Sequence, residues 1–284
     1  MSTERYSTDF QPQWCPGCGN FDMLACVRQA LDELYEPREV ILVSGIGQTA
    51  KMGFSVRTNM FNGLHGRTLP LAMGMRMANR RARILVVAGD GDLFAEGGNH
   101  FIHAMRRNLD VTVLAGDNRV YGLTKGQGAP TSSHDFRAGL HKGGEGAWPV
   151  NPTALALVNG ATFVARSFSG NQEELTGLIK QGMEHRGMAL IDTLFPCVTF
   201  NRLNTVAWYK KRIKPVGDAH DPVDFEAAMR LAMHSEEEIP TGVYYRVERP
   251  IFTDLLEALD GEPLVERAPE WRPERVKGLF ERFK

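Results

Sequence analysis

Hydrophobic positions along the chain follow two rhythms. Five short runs are apolar with little polar alternation: Val40-Ile-Leu-Val43, Arg83-Ile-Leu-Val-Val-Ala88, Val111-Thr-Val-Leu-Ala115, Thr162-Phe-Val-Ala165 and Ala189-Leu-Ile-Asp-Thr193. Such runs predict strands buried on both faces. Between them the apolar period lengthens. Leu24, Val27, Leu31 and Leu34 recur at helix spacing. A second helix is expected from about Glu96 to Arg107, and a third from Gln172 to about His185, stopped by Gly187. Strands alternating with helices in this order predict an α/β fold with a doubly wound, mainly parallel sheet. From Asn201 onward charge rises and glycine falls. Trp208-Tyr-Lys-Lys-Arg212 and Asp224 to Ala232 read as surface helices, and Pro250 to Lys284 as an arm or partner-contact segment. The expected organisation is an α/β domain over 1–200, with a cysteine-bearing N-terminal segment, and a C-terminal extension over 201–284.

Glycine-rich loops fall where strands should end: Gly45-Ile-Gly47, Gly89-Asp-Gly91 and Gly116-Asp-Asn118. Parallel sheets bind ligands at the carboxyl ends of their strands, so chemistry is sought there. Residues 122–150, rich in Gly, Ser, Pro and His, read as one long loop.

Composition narrows the class. Lys plus Arg is 33 and Asp plus Glu is 34, a net charge of −1, which gives no electrostatic case for nucleic acid or an anionic membrane. No apolar run approaches the ~20 residues of a membrane span, and the start lacks a signal-peptide pattern. A cytoplasmic protein is expected. Its four cysteines, Cys15, Cys18, Cys26 and Cys197, then read as metal ligands or core residues rather than disulfides.

The most informative constellation is Gly89-Asp-Gly-Asp92, followed after Gly91 by 25 residues and then Asp117-Asn118. Glycines at a strand end let backbone approach a bulky anion. Asp90 and Asn118 supply hard oxygens at the ends of neighbouring strands, a donor set that suits Mg²⁺ carrying phosphate. The bland alternative is a βα loop in which Asp90 merely caps a helix. The arrangement resembles the diphosphate-binding motif of thiamine-diphosphate enzymes. That resemblance assigns Asp90, the Asn118 side chain and the Val120 carbonyl to Mg²⁺.

Six pieces in order widen the resemblance: Trp14-Cys-Pro-Gly-Cys-Gly19, Ser44-Gly-Ile-Gly47, Leu64-His-Gly-Arg67, Gly89-Asp-Gly-Asp92, Asn118-Arg-Val-Tyr-Gly-Leu-Thr-Lys-Gly-Gln127 and Pro196-Cys-Val-Thr199. Over about residues 10 to 250 the chain resembles the β subunits of the 2-oxoacid:ferredoxin oxidoreductases. The resemblance implies a fold of the thiamine-diphosphate-binding type, and CoA-dependent oxidative decarboxylation of a 2-oxoacid, or its reverse. It implies that electrons pass through an iron–sulfur cluster to ferredoxin. It implies an α-subunit partner in a heterodimer or dimer of heterodimers. It places Gly45, Gly47, His65, Gly66, Gly89, Asp90, Gly91, Asp92, Asn118, Val120, Tyr121, Gly122 and Leu123 around the cofactor. Lys51 and His65 are its candidates for catalysis, Lys51 near the substrate carboxylate. The favoured substrate is 2-oxoglutarate, giving succinyl-CoA. Pyruvate or a branched-chain 2-oxoacid is the alternative.

The same resemblance gives Cys15, Cys18 and Cys197 to a [4Fe–4S] cluster. Its fourth cysteine position is occupied here by Gln48, a poor iron ligand. Three readings stay open: an unusual fourth ligand, a contribution from Cys26, or no cluster. Cys26, on an apolar helix, also reads as a plain core residue. His100 and His103 lie one helical turn apart but lack a third ligand. Lys125 and Gln127 sit on the loop near the cofactor. Two rival functions remain: a non-redox thiamine-dependent decarboxylase or synthase subunit, and a zinc-knuckle assembly module built on Cys15-Pro-Gly-Cys18.

Overall fold

The computed structural model describes residues 3–137, 143–144, 146–234, 236–267, 277–278 and 280–281. The elements run α1 (Asn20–Leu34), β1 (Val40–Ser44), β2 (Asn59–Asn62), α2 (Thr68–Ala78), β3 (Arg83–Gly89), α3 (Gly98–Arg106), β4 (Val111–Asp117), β5 (Val120–Tyr121), β6 (Gln127–Gly128) and α4 (Pro152–Val158). They continue with β7 (Phe163–Phe168), α5 (Gln172–Glu184), β8 (Met188–Leu194), α6 (Val206–Arg212), β9 (Ile213–Pro215), α7 (Phe225–Ala232) and β10 (Ile239–Arg246).

One eight-stranded sheet, in the order β2-β1-β3-β4-β8-β7-β10-β9, organises the chain. The six strands from β2 to β7 are parallel, and β10 joins β7 antiparallel. Side chains alternate across the pleat. Ile84, Val86 and Ala88 of β3 meet one helical layer with Phe101 and Met105 of α3 and Ala156 of α4. Leu85 and Val87 meet the other, with Val27 and Leu31 of α1 and Leu178 and Ile179 of α5. The five expected strands are therefore buried on both sides, which is why they lack polar alternation.

Helix α5 starts where the Asn171 side chain accepts the Glu174 amide. It ends just before Gly187, whose φ is +145°; a Cβ there would stand 2.4 Å from Thr162 Oγ1. The helix expected from Glu96 begins as a π turn over Gly91–Glu96 and becomes regular only at Gly98. Helices α6 and α7 are not purely surface elements: Tyr209, Ala228 and Ala232 are buried. The sheet also continues past residue 200, because β9 and β10 form its far edge. The following segment ties back to the α2–β3 corner through Arg80 to the Leu259 carbonyl and Arg81 to Glu266. In the expected arm from 250 to 284, residues 268–276, 279 and 282–284 lie outside the described residues.

Inside the sheet Arg166 of β7 donates to Asp192 of β8 at 2.9 Å, with Asp192 fully buried. Arg166→Met is expected to destabilise the protein by about 3–5 kcal/mol, because it strands a buried carboxylate. Urea unfolding checks this; a loss under about 1 kcal/mol would show that Asp192 does not need its partner.

Parallel pairing brings the carboxyl ends of β1, β3, β4 and β8 side by side. Four loops therefore emerge along one edge: those after Ser44, Gly89, Asp117 and Leu194.

Candidate active site

At the end of β3 the backbone turns into the Gly91–Glu96 π turn, with Asp90 as its cap. Asp90 Oδ1 accepts the Gly91 amide at 2.9 Å. Its Oδ2 accepts the Arg119 amide at 2.9 Å and the Thr131 hydroxyl at 2.7 Å. Asp117, at the end of β4, takes the same two partners, Arg119 N at 3.1 Å and Thr131 Oγ1 at 2.8 Å. Both carboxylates are buried. Burial pushes both carboxyls up, and for Asp117 the neighbouring Asp90 charge adds to it. Thr131 has one hydroxyl proton, so its two carboxylate contacts share that donor.

Arg119 adopts φ +60°, uncommon for a side chain of this size. Its buried guanidinium is held by Glu236 at 2.6 Å and lies over Trp208 at 5.5 Å. These contacts fix the turn that presents Asn118. Asn118 Oδ1 accepts the Val120 amide, and its carbonyl accepts from Asn201 Nδ2. A carboxylate offers about four lone-pair directions and Asp90 uses three. Acceptor capacity therefore remains on Asp90 and Asn118 for a hard cation.

A second cluster stands beside the first. His65 Nδ1 contacts Asp92 Oδ1 at 2.6 Å and Nε2 contacts Glu96 at 3.1 Å. Asp92 also accepts the Gly66 amide at 2.7 Å, and burial raises its carboxyl. Tyr121 donates to the same Glu96. Held at both nitrogens, the imidazole is fixed in place.

Together these loops enclose a solvent-open cleft of ≈ 520 Å³. Of the expected cofactor residues, Gly47, His65, Gly89, Asp90, Gly91, Asp92, Asn118, Val120, Tyr121, Gly122 and Leu123 line it. Gly45 and Gly66 do not. They make room for Asp92 and Glu96: a Cβ on Gly45 would lie 2.0 Å from Asp92 Oδ2, and one on Gly66 2.5 Å from the Glu96 backbone. A Cβ on Gly47 would meet nothing within 4 Å, so its backbone borders open space. The cleft fits a phosphate-bearing group: glycine backbone at its mouth, and two hard oxygen side chains within. Lys51 stands on the 50–55 turn, partly exposed and outside the lining. Lys125 and Gln127 are outside it too; Gln127 pairs with Thr124. His100 and His103 line a separate shallow hollow between α2 and α3.

Cys15, Cys18 and Cys197 line an adjoining hollow of ≈ 400 Å³. Thr199 donates to Cys15 Sγ at 3.0 Å and Asn20 to Cys18 Sγ at 3.6 Å. Burial pushes the Cys18 thiol up to about 11, with the other two cysteines adding to it. Among the described residues no three His, Cys, Asp or Glu side chains close on a single metal ion. Three cysteines around a hollow, with thiol-directed hydrogen-bond donors, fit a cluster better than one tetrahedral ion.

Cys26 is elsewhere. It is buried between α1 and α5, its thiol donating to the Gln172 carbonyl. Cys26→Ala is expected to leave any visible absorption and bound iron unchanged and to cost about 1 kcal/mol of stability. Loss of iron in that variant would return Cys26 to the ligand set.

Several residues of the site carry no sequence signal. Thr131 reads as loop, yet it donates to both Asp90 and Asp117. Asn201 and Glu236, 83 and 117 residues beyond their partners, pin the Asn118 turn. Gln48 and Asn118 line both hollows.

Residues 38–193 match the family model described as the C-terminal TPP-binding domain of thiamine pyrophosphate enzymes. Residues 197–261 match the model for the C-terminal part of the pyruvate ferredoxin oxidoreductase β chain. The β subunit of 2-oxoacid:ferredoxin oxidoreductase 2 of Aeropyrum pernix is 39% identical over 273 residues, 89% of this chain and 86% of the relative. A 2-oxoglutarate synthase subunit of Methanocaldococcus jannaschii is 33% identical over 252 residues, 87% of this chain and 92% of the relative. The structure of 2-oxoglutarate:ferredoxin oxidoreductase from Magnetococcus marinus, with 2-oxoglutarate, coenzyme A and succinyl-CoA bound, superposes with a TM-score of 0.91. It is 34% identical, and the match covers 98% of this chain and 96% of that one.

Proposed function

The chain belongs to the β subunits of the 2-oxoacid:ferredoxin oxidoreductases, and from that premise we propose that it holds the thiamine diphosphate of an enzyme converting 2-oxoglutarate and CoA to succinyl-CoA and CO₂. The observation that carries this is the cleft in which Asp90 and Asn118, from the ends of adjacent strands, face glycine backbone. Thiamine diphosphate, when bound, supplies the carbanion chemistry that releases CO₂ from a 2-oxoacid.

The chain's own residues do the holding. Asp90, the Asn118 amide oxygen and the Val120 carbonyl take the Mg²⁺ that carries the diphosphate. Gly47 and Gly89 keep side chains away from its path. His65, clamped between Asp92 and Glu96, presents a rigid ring to the cleft wall. Lys51, beside the cleft, is assigned to the substrate carboxylate once the α partner completes the pocket. Cys15, Cys18 and Cys197 would hold an iron–sulfur cluster, which would supply one-electron acceptance; Gln48 lies between their hollow and the cleft. Ferredoxin is the onward acceptor, and a heterodimer or dimer of heterodimers in the cytoplasm is the working assembly. Among the described residues no helix is long and apolar enough to cross a membrane.

2-Oxoglutarate is favoured over pyruvate or a branched-chain 2-oxoacid because relatives and the superposed enzyme are named for it. The test is to co-express the chain with its α partner, purify anaerobically, and measure thiamine, iron, sulfide and zinc. Ferredoxin reduction is then followed with each 2-oxoacid in the presence of CoA. Thiamine and iron together, with fastest turnover on 2-oxoglutarate, are expected. Thiamine without iron would move the function to non-redox chemistry. Zinc without thiamine would make the chain an assembly module.

A further inference from the structure

We infer that Gln48 closes the cysteine hollow as an oxygen ligand, so that the cluster has three thiolate corners and one removable iron; this rests on the assignment of that hollow to an iron–sulfur cluster. Gln48 lies in the wall between the two hollows and lines both. Its backbone is set by Trp14, the residue before Cys15, whose indole donates to the Gln48 carbonyl at 2.9 Å. On the other side it faces Gly122, where a Cβ would stand 3.6 Å from the Gln48 Cγ. Its amide oxygen is buried and accepts no hydrogen bond. A buried, unpaired acceptor is costly, and the Gln48 oxygen is one, on a residue that lines the cysteine hollow.

Other fourth ligands are less well placed. Cys26 faces α5 and bonds to Gln172. Asn20 also has an unpaired buried oxygen, but its amide nitrogen already donates to Cys18 Sγ. That posture tunes a sulfur; it does not bind an iron. Iron in such clusters prefers thiolate, so an amide oxygen makes the weakest corner. Exchanging a thiolate for a neutral amide also removes one negative charge, which raises the cluster's reduction potential.

Loss of that corner balances in two steps. [4Fe–4S]²⁺ releases Fe²⁺ to leave [3Fe–4S]⁰, and ferricyanide takes one electron from it to give [3Fe–4S]⁺ and ferrocyanide. The complete enzyme with its α partner is purified anaerobically as wild type, Gln48→Cys, Gln48→Leu and Asn20→Ala. Each is titrated with ferricyanide while iron and the electron paramagnetic resonance of the three-iron form are followed. A thermal melt of each variant serves as the folding control, and bound thiamine is measured beside it. The wild type is expected to lose about one iron in four per cluster and to regain it with Fe²⁺ and dithiothreitol. Gln48→Cys should keep its iron, and Gln48→Leu should lose it on the order of tenfold faster. A wild type as resistant as Gln48→Cys would overturn the inference, because a thiolate then fills the fourth corner. Equal loss in wild type and Gln48→Leu would overturn it too, as would acceleration confined to Asn20→Ala. Enzyme that binds thiamine but never carries iron would instead refute the redox reading beneath it.

Discussion

Asp90→Asn should lower Mg²⁺-dependent binding of thiamine diphosphate by on the order of 100-fold or more, with the protein still folded. The carboxylate is the one anionic side chain assigned to the cation, and a neutral amide is a much weaker partner for Mg²⁺. Asparagine is the informative replacement. Asp90 also holds the Gly91 amide, the Arg119 amide and the Thr131 hydroxyl, and an amide oxygen can keep part of that set. Alanine would strand the Gly91 amide and leave Arg119 and Thr131 to Asp117 alone. Its effect would mix lost binding with about 1–3 kcal/mol of lost stability. Calorimetric titration with the cofactor at fixed Mg²⁺, beside a thermal melt, separates the two. Undiminished affinity in Asp90→Asn would remove Asp90 from the cation site.

Cys197→Ser should abolish the visible absorption of the cluster and most of the bound iron, while thiamine stays. Cys197 follows Phe195, whose amide is pinned to the Asp117 carbonyl, and it lines the cysteine hollow but not the cleft. Serine keeps the shape and replaces a soft thiolate with a hydroxyl that binds iron poorly. Ferredoxin reduction should fall to background. An unchanged spectrum would exclude Cys197 as a ligand, and a joint loss of thiamine would show that the two hollows are not independent.

What was legible in the chain follows from local physics. Val40-Ile-Leu-Val43 and its four counterparts announce buried strands because both faces are covered. The spacing from Asp90 to Asn118 is one crossover, and the structure does bring both onto one cleft. The edge strands were not legible. Asn59–Asn62, largely exposed, reads as polar loop, and β10 lies far down the chain from the β7 that it pairs with. The helix expected from about Glu96 is regular from Gly98, two residues later, because the stretch before it, Gly91–Glu96, is a π turn. In the site, the glycines were legible but their jobs were not separable. Gly47 borders the open cleft, whereas Gly45 exists to admit Asp92, a contact across 47 residues of chain. Thr131 and Glu236 act through contacts that no motif spacing records.

The ion pair between Arg119 and Glu236 gives the site a place in time as well as in space. The turn that presents Asn118 is held by residues from the last third of the chain, Asn201 and Glu236. Closing loops of that length is slow relative to local helix and hairpin formation. The central strands pair among residues up to the end of β8, whereas the Asn118 turn is fastened by the segment after it. A chain cut before Glu236 would lack the ion pair that fastens the Asn118 turn, although the pairings among β1, β3, β4, β7 and β8 all lie before the cut.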